Sequence, residues 1–214
     1  APNSHKGSYG SVGILGGCAG MVGAALLAGR AALRLGSGRV YVGLLDASAP
    51  AFDPAQAELM LRAPEALLAA DLSALACGPG LGVSPAAHAL LLTACTKTRT
   101  QTVPLVLDAD ALNLIAAENA AGGASAGSLT TALAARRAPT LLTPHPAEAA
   151  RLLNCTTQTI QADRIATACT IAGRFRAWVA LKGCGTVIAS PDGRWQINPS
   201  GNPGLATAGS GDVL

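Results

Sequence analysis

The alternation of short apolar runs with alanine-rich stretches is the feature that most constrains the fold of this chain. The apolar runs at 11–15, 40–45 and 105–107 have the length of strands, and the alanine-rich stretches between them have the length of helices. This order predicts a mostly parallel sheet flanked by helices. Further strands are predicted at 72–76, 140–142 and 178–181, with a closing hairpin of 186–189 and 195–197.

Helices are predicted at 20–35, 84–96, 147–153 and 159–177. Ser84 is expected to cap the second of these, with Pro85 in its first turn. The segment 120–138 departs from the pattern, because Gly122-Gly123-Ala124-Ser125-Ala126-Gly127-Ser128 is of low complexity. We interpret it as a surface insertion.

The composition predicts one compact domain and argues against two classes of partner. Half of the 214 residues are hydrophobic, the net charge is +3, and aromatic residues make up 3%. A nucleic-acid surface needs more clustered positive charge and more stacking side chains. The longest apolar stretch, 14–29, is interrupted by glycines and is shorter than the roughly 18–20 residues of a membrane span. We therefore expect no nucleic-acid and no membrane partner.

The six cysteines contain no Cys-x-x-Cys pair, and no histidine lies at ligand spacing from one of them. This pattern argues against a zinc site or a disulfide framework. We expect the cysteines to be small buried side chains in a reducing compartment. Since no charged leader precedes an apolar run, a cytoplasmic location is predicted.

The last fourteen residues, 201–214, are mostly small up to a single carboxylate, Asp212. Gly209 and Gly211 allow successive backbone N–H groups to converge into an anion-binding nest. A carboxylate beside such a nest repels phosphate, but it can take a proton from a hydroxyl group that attacks a phosphoryl group. A plain glycine loop before a helix explains the spacing equally well.

Five motifs directly follow predicted strands, where open parallel sheets place their ligand crevice. Gly80 and Gly82 have two interpretations. They bring backbone N–H groups to a substrate, or they only form a tight loop. Asp108 and Asp110 also have two interpretations. In the functional one they position magnesium or a substrate, and in the structural one either of them caps the next helix. Asn113 lies one helical turn beyond Asp110, on the same face.

The remaining motifs also have two interpretations each. The loop 182–186 holds the adenosine and phosphate end of a nucleotide, or is an ordinary connection with Lys182 in solvent. His145 stands between two prolines that restrict its backbone, which favours ligand recognition over core packing. Glu148 helps to hold a hydrated magnesium ion, or complements the helix dipole.

Six motifs precede the terminal segment in order: His5-Lys6-Gly7-Ser8-Tyr9-Gly10, Gly23-Ala24-Ala25, Gly78-Pro79-Gly80-Leu81-Gly82, Leu107-Asp108-Ala109-Asp110-Ala111-Leu112-Asn113, Leu142-Thr143-Pro144-His145-Pro146-Ala147-Glu148 and Leu181-Lys182-Gly183-Cys184-Gly185-Thr186. With Asn202-Pro203-Gly204 and the segment 206–212, they resemble the signature of the ribokinase-like superfamily. Within it, the chain resembles the ADP- or ATP-dependent NAD(P)H-hydrate dehydratases. Ala147 is a departure, because that family more often has glycine there.

The resemblance implies a ribokinase-like three-layer sandwich that dehydrates the S epimer of hydrated NADH or NADPH. ADP, which gives AMP and phosphate, or ATP drives the reaction with Mg²⁺. The resemblance implies Asp212 as the catalytic base, and substrate contacts from Ala24, Gly80, Gly82, Asp110, Asn113, His145 and Asp212. It implies nucleotide contacts from Lys182, Gly183, Cys184, Gly185, Thr186, Gly209, Ser210 and Gly211, and a water-mediated magnesium contact from Glu148.

The family resemblance also bears on the ends of the chain and on assembly. The family's domain continues past this aspartate into further helices, so we expect residues 1–214 to be a single dehydratase domain cropped at both ends, without the carboxy-terminal helices. Because two residues follow Asp212, we expect no helix to form there. A homo-oligomer, a tetramer by resemblance, and a fused or separate epimerase are expected.

Two other functions stay open on the sequence. The first is a kinase of the same fold that phosphorylates a vitamin-precursor alcohol through the same Asp212. The second is a nucleotide-binding protein without catalytic activity.

Overall fold

The protein is described by a computed structural model that covers residues 6–97, 99–122 and 127–214. His5 lies outside these residues. One sheet of nine strands runs in the order β3-β2-β1-β4-β5-β6-β7-β8-β9. The strands are β1 (Ser11–Gly16), β2 (Arg39–Leu44), β3 (Met60–Arg62), β4 (Ala74–Cys77), β5 (Leu105–Leu107), β6 (Thr140–Leu142), β7 (Trp178–Leu181), β8 (Thr186–Ala189) and β9 (Trp195–Asn198).

Helices connect the parallel strands. They are α1 (Val22–Arg34), α2 (Pro64–Leu68), α3 (Pro85–Thr96), α4 (Asp110–Ala120), α5 (Leu129–Ala134), α6 (Pro146–Leu153), α7 (Thr157–Ala162), α8 (Arg164–Phe175) and α9 (Ser210–Val213). Short 3₁₀ helices occur at Lys6–Tyr9, Thr100–Thr102 and Pro203–Leu205.

The sheet is covered on both faces, as the apolar runs predict. Strands β1 to β7 pair in parallel, and β8 and β9 are antiparallel. Successive side chains of a strand point to opposite faces, and Ile14 and Leu15 accordingly enter two different core clusters. One cluster contains Ala25 and Ala28 of α1, and the other contains Ala149 of α6 and Ile171 of α8. The prediction of a mostly parallel three-layer sandwich is confirmed.

The predicted helix at 159–177 is in fact two helices. Asp163 leaves the helical conformation (φ −148°, ψ 89°), and its Oδ1 accepts a hydrogen bond of 2.9 Å from the backbone N–H of Ala166. Aspartate is a strong N-cap residue, so it ends α7 and begins α8. The sequence reading also missed β3 and α2, because these elements span three and five residues and have no long periodic pattern.

The interpretation of 120–138 as a surface insertion is wrong for its second half. Residues 123–126 of the low-complexity stretch lie outside the described residues, but α5 follows with Leu129 and Leu133 buried. The Glu118 carboxylate accepts hydrogen bonds of 2.7 Å from the Leu129 N–H through Oε1 and contacts His88 Nε2 at 2.7 Å through Oε2. Burial and these contacts fix α5 against the core.

The expectation that no helix forms at Asp212 is also wrong. Gly209 adopts a left-handed conformation (φ 83°), and one helical turn, α9, begins after it. The N–H of Val213 donates to Gly209 O and that of Leu214 to Ser210 O, both at 3.2 Å. Two residues after Asp212 are enough to close a turn because each bond reaches back four residues.

The six cysteines are free thiols whose surroundings differ. Cys77 and Cys95 are buried, as predicted, and burial raises the pKa of the Cys95 thiol to about 12. Cys184 is exposed on the loop between β7 and β8, which contradicts the expectation of a buried side chain. Within the described ranges, no helix has the length and apolarity needed to cross a membrane.

Candidate active site

The carboxyl ends of β4, β5, β6 and β7 are joined by direct hydrogen bonds. The N–H of Gly82, after β4, donates to Asp110 Oδ2, after β5, at 2.8 Å. The N–H of Lys182, after β7, donates to Pro144 O, after β6, at 2.8 Å. Parallel strands deliver their carboxyl ends to one edge of the sheet, so motifs far apart in the chain meet there.

The Lys182 ammonium group is the centre of this edge. Its Nζ lies 2.8 Å from Asp108 Oδ1, 3.0 Å from Asp108 Oδ2 and 4.0 Å from Glu148 Oε2. A Cβ placed on Gly211 of α9 would lie 3.9 Å from the same Nζ. Lys182 therefore points into the site and not into solvent, which contradicts the alternative of a solvated lysine.

Asp108 and Asp110 do not cap α4. The N-cap position is Ala109, which has no side-chain cap and an unusual backbone (φ 49°, ψ −118°). Asp108 Oδ1 accepts from the Ala109 N–H at 2.8 Å, and Asp110 Oδ1 accepts from Asn113 Nδ2 at 3.2 Å. Asn113 Oδ1 in turn accepts from Arg151 Nε at 2.9 Å. The capping interpretation is wrong, and both carboxylates bind groups of the crevice.

His145 has a structural role that the sequence reading did not include. Its Nδ1 accepts hydrogen bonds from the N–H groups of Ala147 (3.1 Å) and Glu148 (3.4 Å), and Glu148 Oε2 accepts from the His145 N–H at 2.8 Å. These bonds form a capping box at the start of α6. Since Nδ1 is an acceptor, the proton of the neutral ring is assigned to Nε2.

The imidazole of His145 is half exposed and favours the neutral state. Burial, followed by the nearby charges of Lys182 and Arg151, lowers the pKa of His145 below its ordinary value. The side chain keeps 46% of its surface accessible, and Nε2 lies 3.4 Å from Glu148 Oε1. A neutral ring with an N–H near the crevice is suited to donate a hydrogen bond to a ligand.

Asp212 lies on α9, which rests against α1. Gly209 is required here, because a Cβ would meet Leu27 Cδ1 at 2.9 Å and because φ is positive. Burial, then the charge of Asp108, raises the pKa of Asp212, while Lys182 lowers it. The carboxylate is thus half buried and within electrostatic reach of both groups.

Ala24 of α1 and Gly80 of the loop after β4 lie against each other. A Cβ on Gly80 (φ 58°) would lie 2.5 Å from Met21 O and 3.3 Å from the Ala24 Cβ. A small residue at 24 and glycine at 80 therefore let α1 and the loop after β4 approach closely. Ala24 packs on this loop, whereas Gly23 has no atom within 4 Å of an added Cβ.

The sequence profile of the NAD(P)H-hydrate dehydratases matches residues 12–214. The chain is 44% identical, over its whole length, to the ADP-dependent (S)-NAD(P)H-hydrate dehydratase of Neisseria meningitidis and covers 69% of that protein. The chain belongs to the NAD(P)H-hydrate dehydratase family. It is also 36% identical to the bifunctional NAD(P)H-hydrate repair enzyme of Escherichia coli, of which it covers 38%.

Solved structures agree with this membership. The ADP/ATP-dependent NAD(P)H-hydrate dehydratase of Bacillus subtilis, co-crystallized with ATP/Mg²⁺, superposes with a TM-score of 0.77 at 32% identity. The match covers all of this chain and 72% of that one. A hydroxyethylthiazole kinase from Pyrococcus horikoshii matches with a TM-score of 0.60 at 15% identity, which shows a shared fold alone.

The carboxylates of this family member do not form a direct metal cage. Glu148 Oε2 accepts from the His145 N–H, and the Lys182 ammonium already lies beside Glu148 and Asp108. Among the described residues, no group of three or more His, Cys, Asp or Glu side chains is arranged to hold a metal ion. Carboxylates so arranged would suit a hydrated Mg²⁺ held mainly by nucleotide phosphates, and the water-mediated contact of that ion with Glu148 stays a prediction.

Arg164 is a residue of the site that the sequence reading missed. Its Nη2 donates to the carbonyl groups of Leu181 (2.9 Å), Lys182 (3.3 Å) and Gly185 (3.4 Å). The sequence signal that could have revealed Arg164 is the preceding Asp163, because its role as N-cap places Arg164 in the first turn of α8.

The structure brings the predicted residues of β4 to β7, α1 and α9 to one crevice. Two details differ from the predicted roles, because the Thr186 hydroxyl donates to Gly183 O at 3.1 Å and the Ser210 hydroxyl donates to Thr207 O at 2.8 Å. The contacts of these residues with substrate and nucleotide stay predictions.

Proposed function

We propose that this chain removes water from the S epimer of hydrated NADH or NADPH and uses ADP or ATP to drive the reaction. The observation that carries the proposal is the position of Asp212 on a glycine-initiated turn, where a Cβ on the preceding residue, Gly211, would lie 3.9 Å from Lys182 Nζ. The family of the chain supports the identity of the substrate.

The first step transfers a phosphoryl group to the ring hydroxyl of the hydrated cofactor. Asp212 takes the hydroxyl proton while the oxygen forms a bond to the terminal phosphorus, and the bond from that phosphorus to the rest of the nucleotide breaks. A raised pKa suits this role, because a carboxylate of higher pKa is a stronger base.

The second step is an elimination. The carbon–oxygen bond to the new phosphate breaks with its electron pair going to the departing phosphate, the adjacent ring carbon loses a proton to solvent water, and the ring double bond is restored. Phosphate is a far better leaving group than hydroxide. We assign the half-exposed His145 Nε2–H, which lies 3.4 Å from Glu148 Oε1, as a hydrogen-bond donor to the substrate, and Asp110 holds the loop at Gly82.

Backbone N–H groups at 208–211 and the Lys182 ammonium stabilise negative charge on the transferring phosphoryl group. When bound, Mg²⁺ supplies further neutralisation of the nucleotide phosphates. The loop 182–186 holds the nucleotide through its N–H groups.

The test is recovery of absorbance at the reduced-nicotinamide band when the protein is mixed with hydrated NADH and ADP or ATP. Asp212→Asn should lower the rate by about 10²–10⁴, the usual effect of losing a general base. Nucleotide affinity should stay within a few-fold of the parent value, because the carboxylate is not a phosphate ligand. Asp71→Asn, on the exposed surface at the opposite end of the sheet, is the control.

Wild-type activity in the Asp212→Asn protein would refute the assignment of the base. A phosphorylated product that accumulates without elimination would identify a kinase. Binding of nucleotide without turnover by the unaltered protein would identify a non-catalytic function.

We also propose that the protein assembles as a homotetramer and acts with an epimerase that supplies the S epimer. The chain spans about two fifths of the bifunctional NAD(P)H-hydrate repair enzymes that it matches, and the word bifunctional describes two activities in those proteins. Light scattering tests the assembly. The need for an epimerase is tested with an equal mixture of the two epimers. The reaction of this protein alone should stop at half conversion, because it uses only the S epimer.

A further inference from the structure

Arg151 connects two helices whose first residues belong to the site. It lies on α6, whose N-cap is His145, and its Nε donates to Asn113 Oδ1 of α4 at 2.9 Å. Helix α4 begins at Asp110, so this bond crosses from the part of the crevice that carries His145 to the part that carries Asp110. Neither the sequence motifs nor the chemistry above give Arg151 a role.

The bond from Arg151 continues through two side chains to the backbone of the loop after β4. Asn113 Nδ2 donates to Asp110 Oδ1 at 3.2 Å, and Asp110 Oδ2 accepts from the Gly82 N–H at 2.8 Å. We call this series of three hydrogen bonds, from Arg151 through Asn113 and Asp110 to Gly82, the Arg151 relay. Its first and last bonds join residues that are 38 and 28 positions apart in the chain.

The donors and acceptors of the Arg151 relay permit one orientation of the Asn113 amide. A guanidinium group has only donors, and a carboxylate has only acceptors. Arg151 therefore requires the amide oxygen, which turns Nδ2 towards Asp110. A reversed amide would set donor against donor and acceptor against acceptor, so both bonds would be lost. Arg151 thus fixes the amide orientation on which the bond to Asp110 depends.

The Asp110 carboxylate has few other interactions to hold it. Within the described ranges, each of its oxygens receives one hydrogen bond, from Asn113 and from Gly82, and none of the ion pairs includes it. Loss of the Asn113 bond would therefore free one side of this carboxylate. The loop at Gly82 would then be bound to a less ordered acceptor.

A simpler role for Arg151 is also consistent with its position. It lies in the last turn of α6, where a cation complements the helix dipole. That role needs only a positive charge near the helix end. The Arg151 relay needs a donor at the place of Nε, and the charge is not essential to it. The two roles can therefore be separated by substitution.

We propose that Arg151 is a positioning residue of this site, which holds the loop at Gly82 in place through Asn113 and Asp110. The inference rests on the proposed function, which assigns Gly82 and His145 to the hydrated cofactor. Because the relay joins the loop after β4 to α6, it also sets the distance between Gly82 and His145. Arg151 acts through its neighbours and not by touching the reacting atoms.

Two substitutions separate the donor from the charge. Glutamine has an amide nitrogen as many bonds from Cα as Nε of arginine but no charge, whereas lysine keeps the charge and has a methylene group at that place. At saturating ADP, Arg151→Gln should keep the KM for hydrated NADH within about threefold, and Arg151→Lys should raise it about tenfold, the effect of one hydrogen bond. The KM for ADP should not change.

The matched controls are Arg137→Gln and Arg137→Lys, which alter an exposed arginine shortly before β6, at the amino end of the strands. Both should behave like the parent protein. If only the charge of Arg151 matters, Arg151→Lys will match the parent and Arg151→Gln will not, which overturns the inference.

A double-mutant cycle tests whether Arg151 acts through Asn113. Asn113→Ala alone should raise the KM for hydrated NADH. Adding Arg151→Lys to Asn113→Ala should have no further effect, because residues that act as one unit are not additive. Additive effects would mean that Arg151 acts independently of Asn113, and would overturn the Arg151 relay.

Amide hydrogen exchange, followed by NMR, tests the relay without turnover. The Gly82 amide should exchange about tenfold faster in Arg151→Lys than in the parent protein or in Arg151→Gln. The Gly78 amide, which donates to Leu15 O at 3.0 Å, should be unchanged and serves as the internal control.

Equal exchange of the Gly82 amide in all proteins overturns the inference, even if dehydration proceeds. Faster exchange with an unchanged KM also overturns it, because the loop would then not need this support. Faster exchange in a protein whose parent form does not dehydrate hydrated NADH supports the Arg151 relay and refutes the proposed function.

Discussion

At the scale of single residues, the site is governed by one ammonium group among three carboxylates. Lys182 contacts Asp108 at 2.8 Å and Glu148 at 4.0 Å, and it lowers the pKa of Asp212. Burial acts in the opposite direction and raises the pKa of both Glu148 and Asp212. Removal of the positive charge would leave mutually repelling, partly desolvated acids.

The pH dependence of activity should report this balance. Asp212 must be ionised to act as a base, so the rate should fall as the pH falls through its raised pKa, above the ordinary value of 3.8. Lys182→Met should raise the pKa of Asp212 and so move the acidic limb of the pH–rate profile, the range where the rate falls, to higher pH. Asp108→Asn should move it to lower pH. Profiles of kcat/KM measure both shifts, and identical limbs in all three proteins would contradict the assignment of the base.

His145 should show two separable roles. His145→Ala removes both the imidazole and the cap of α6, and it should lower the free energy of unfolding by about 1 kcal/mol. His145→Asn keeps a good N-cap and should keep the stability. Both variants should bind hydrated NADH more weakly and ADP normally. Chemical denaturation and calorimetry with each ligand measure these effects, and equal losses for both ligands would mean that the site is wrongly assigned.

At the scale of elements, the loop between β7 and β8 depends on α8. Gly183 has a φ of 145°, and an added Cβ would meet Arg164 Nη1 at 2.5 Å. The guanidinium group of Arg164 therefore packs directly on this backbone and binds three of its carbonyl groups. The start of α8, which is set by the Asp163 cap, determines where this group lies.

Arg164→Lys should weaken nucleotide binding more than catalysis. Lysine keeps the charge but loses the planar fork, so the loop loses part of its support. We expect the KM for ADP to rise about tenfold, which corresponds to about 1.4 kcal/mol, with kcat and the KM for hydrated NADH little changed. Arg174→Lys on the same helix, where the side chain donates to Leu152 O, is the control. A loss of kcat alone would contradict a positioning role.

At the scale of the whole molecule, the edge strand β9 and, separately, the last residues expose large apolar side chains. Trp195, Ile197 and Leu205 keep 51%, 48% and 60% of their surface, and Leu214 keeps 78%. Apolar patches of this kind favour association with other surfaces.

The protein with residues 1–214 should therefore bind hydrophobic dyes and tend to aggregate. Trp195→Ser combined with Ile197→Thr should reduce dye fluorescence and aggregation without changing the circular dichroism. Leu35→Ser, which alters an exposed side chain elsewhere, is the control. Equal dye binding by all three proteins would show that this edge is not the source.

Sequence patterns by themselves determined the layers and the location of the site. Apolar runs such as 40–44 are typical of strands buried on both faces of a covered parallel sheet, and that arrangement sends the carboxyl ends of the parallel strands to one edge. Motifs placed after strands therefore had to meet. Helix ends depended on local signals, and Asp163 was missed because a capping residue inside a periodic stretch looks like part of the helix.

Only the tertiary structure decided which groups face each other at that edge. The partner of Lys182 is Asp108, 74 residues away, and the Gly82 N–H binds Asp110, 28 residues away. Neither follows from spacing, because neither contact is local in the chain. The pattern of burial specifies where the chain must run, whereas distances between side chains depend on how closely glycine and alanine let the elements approach.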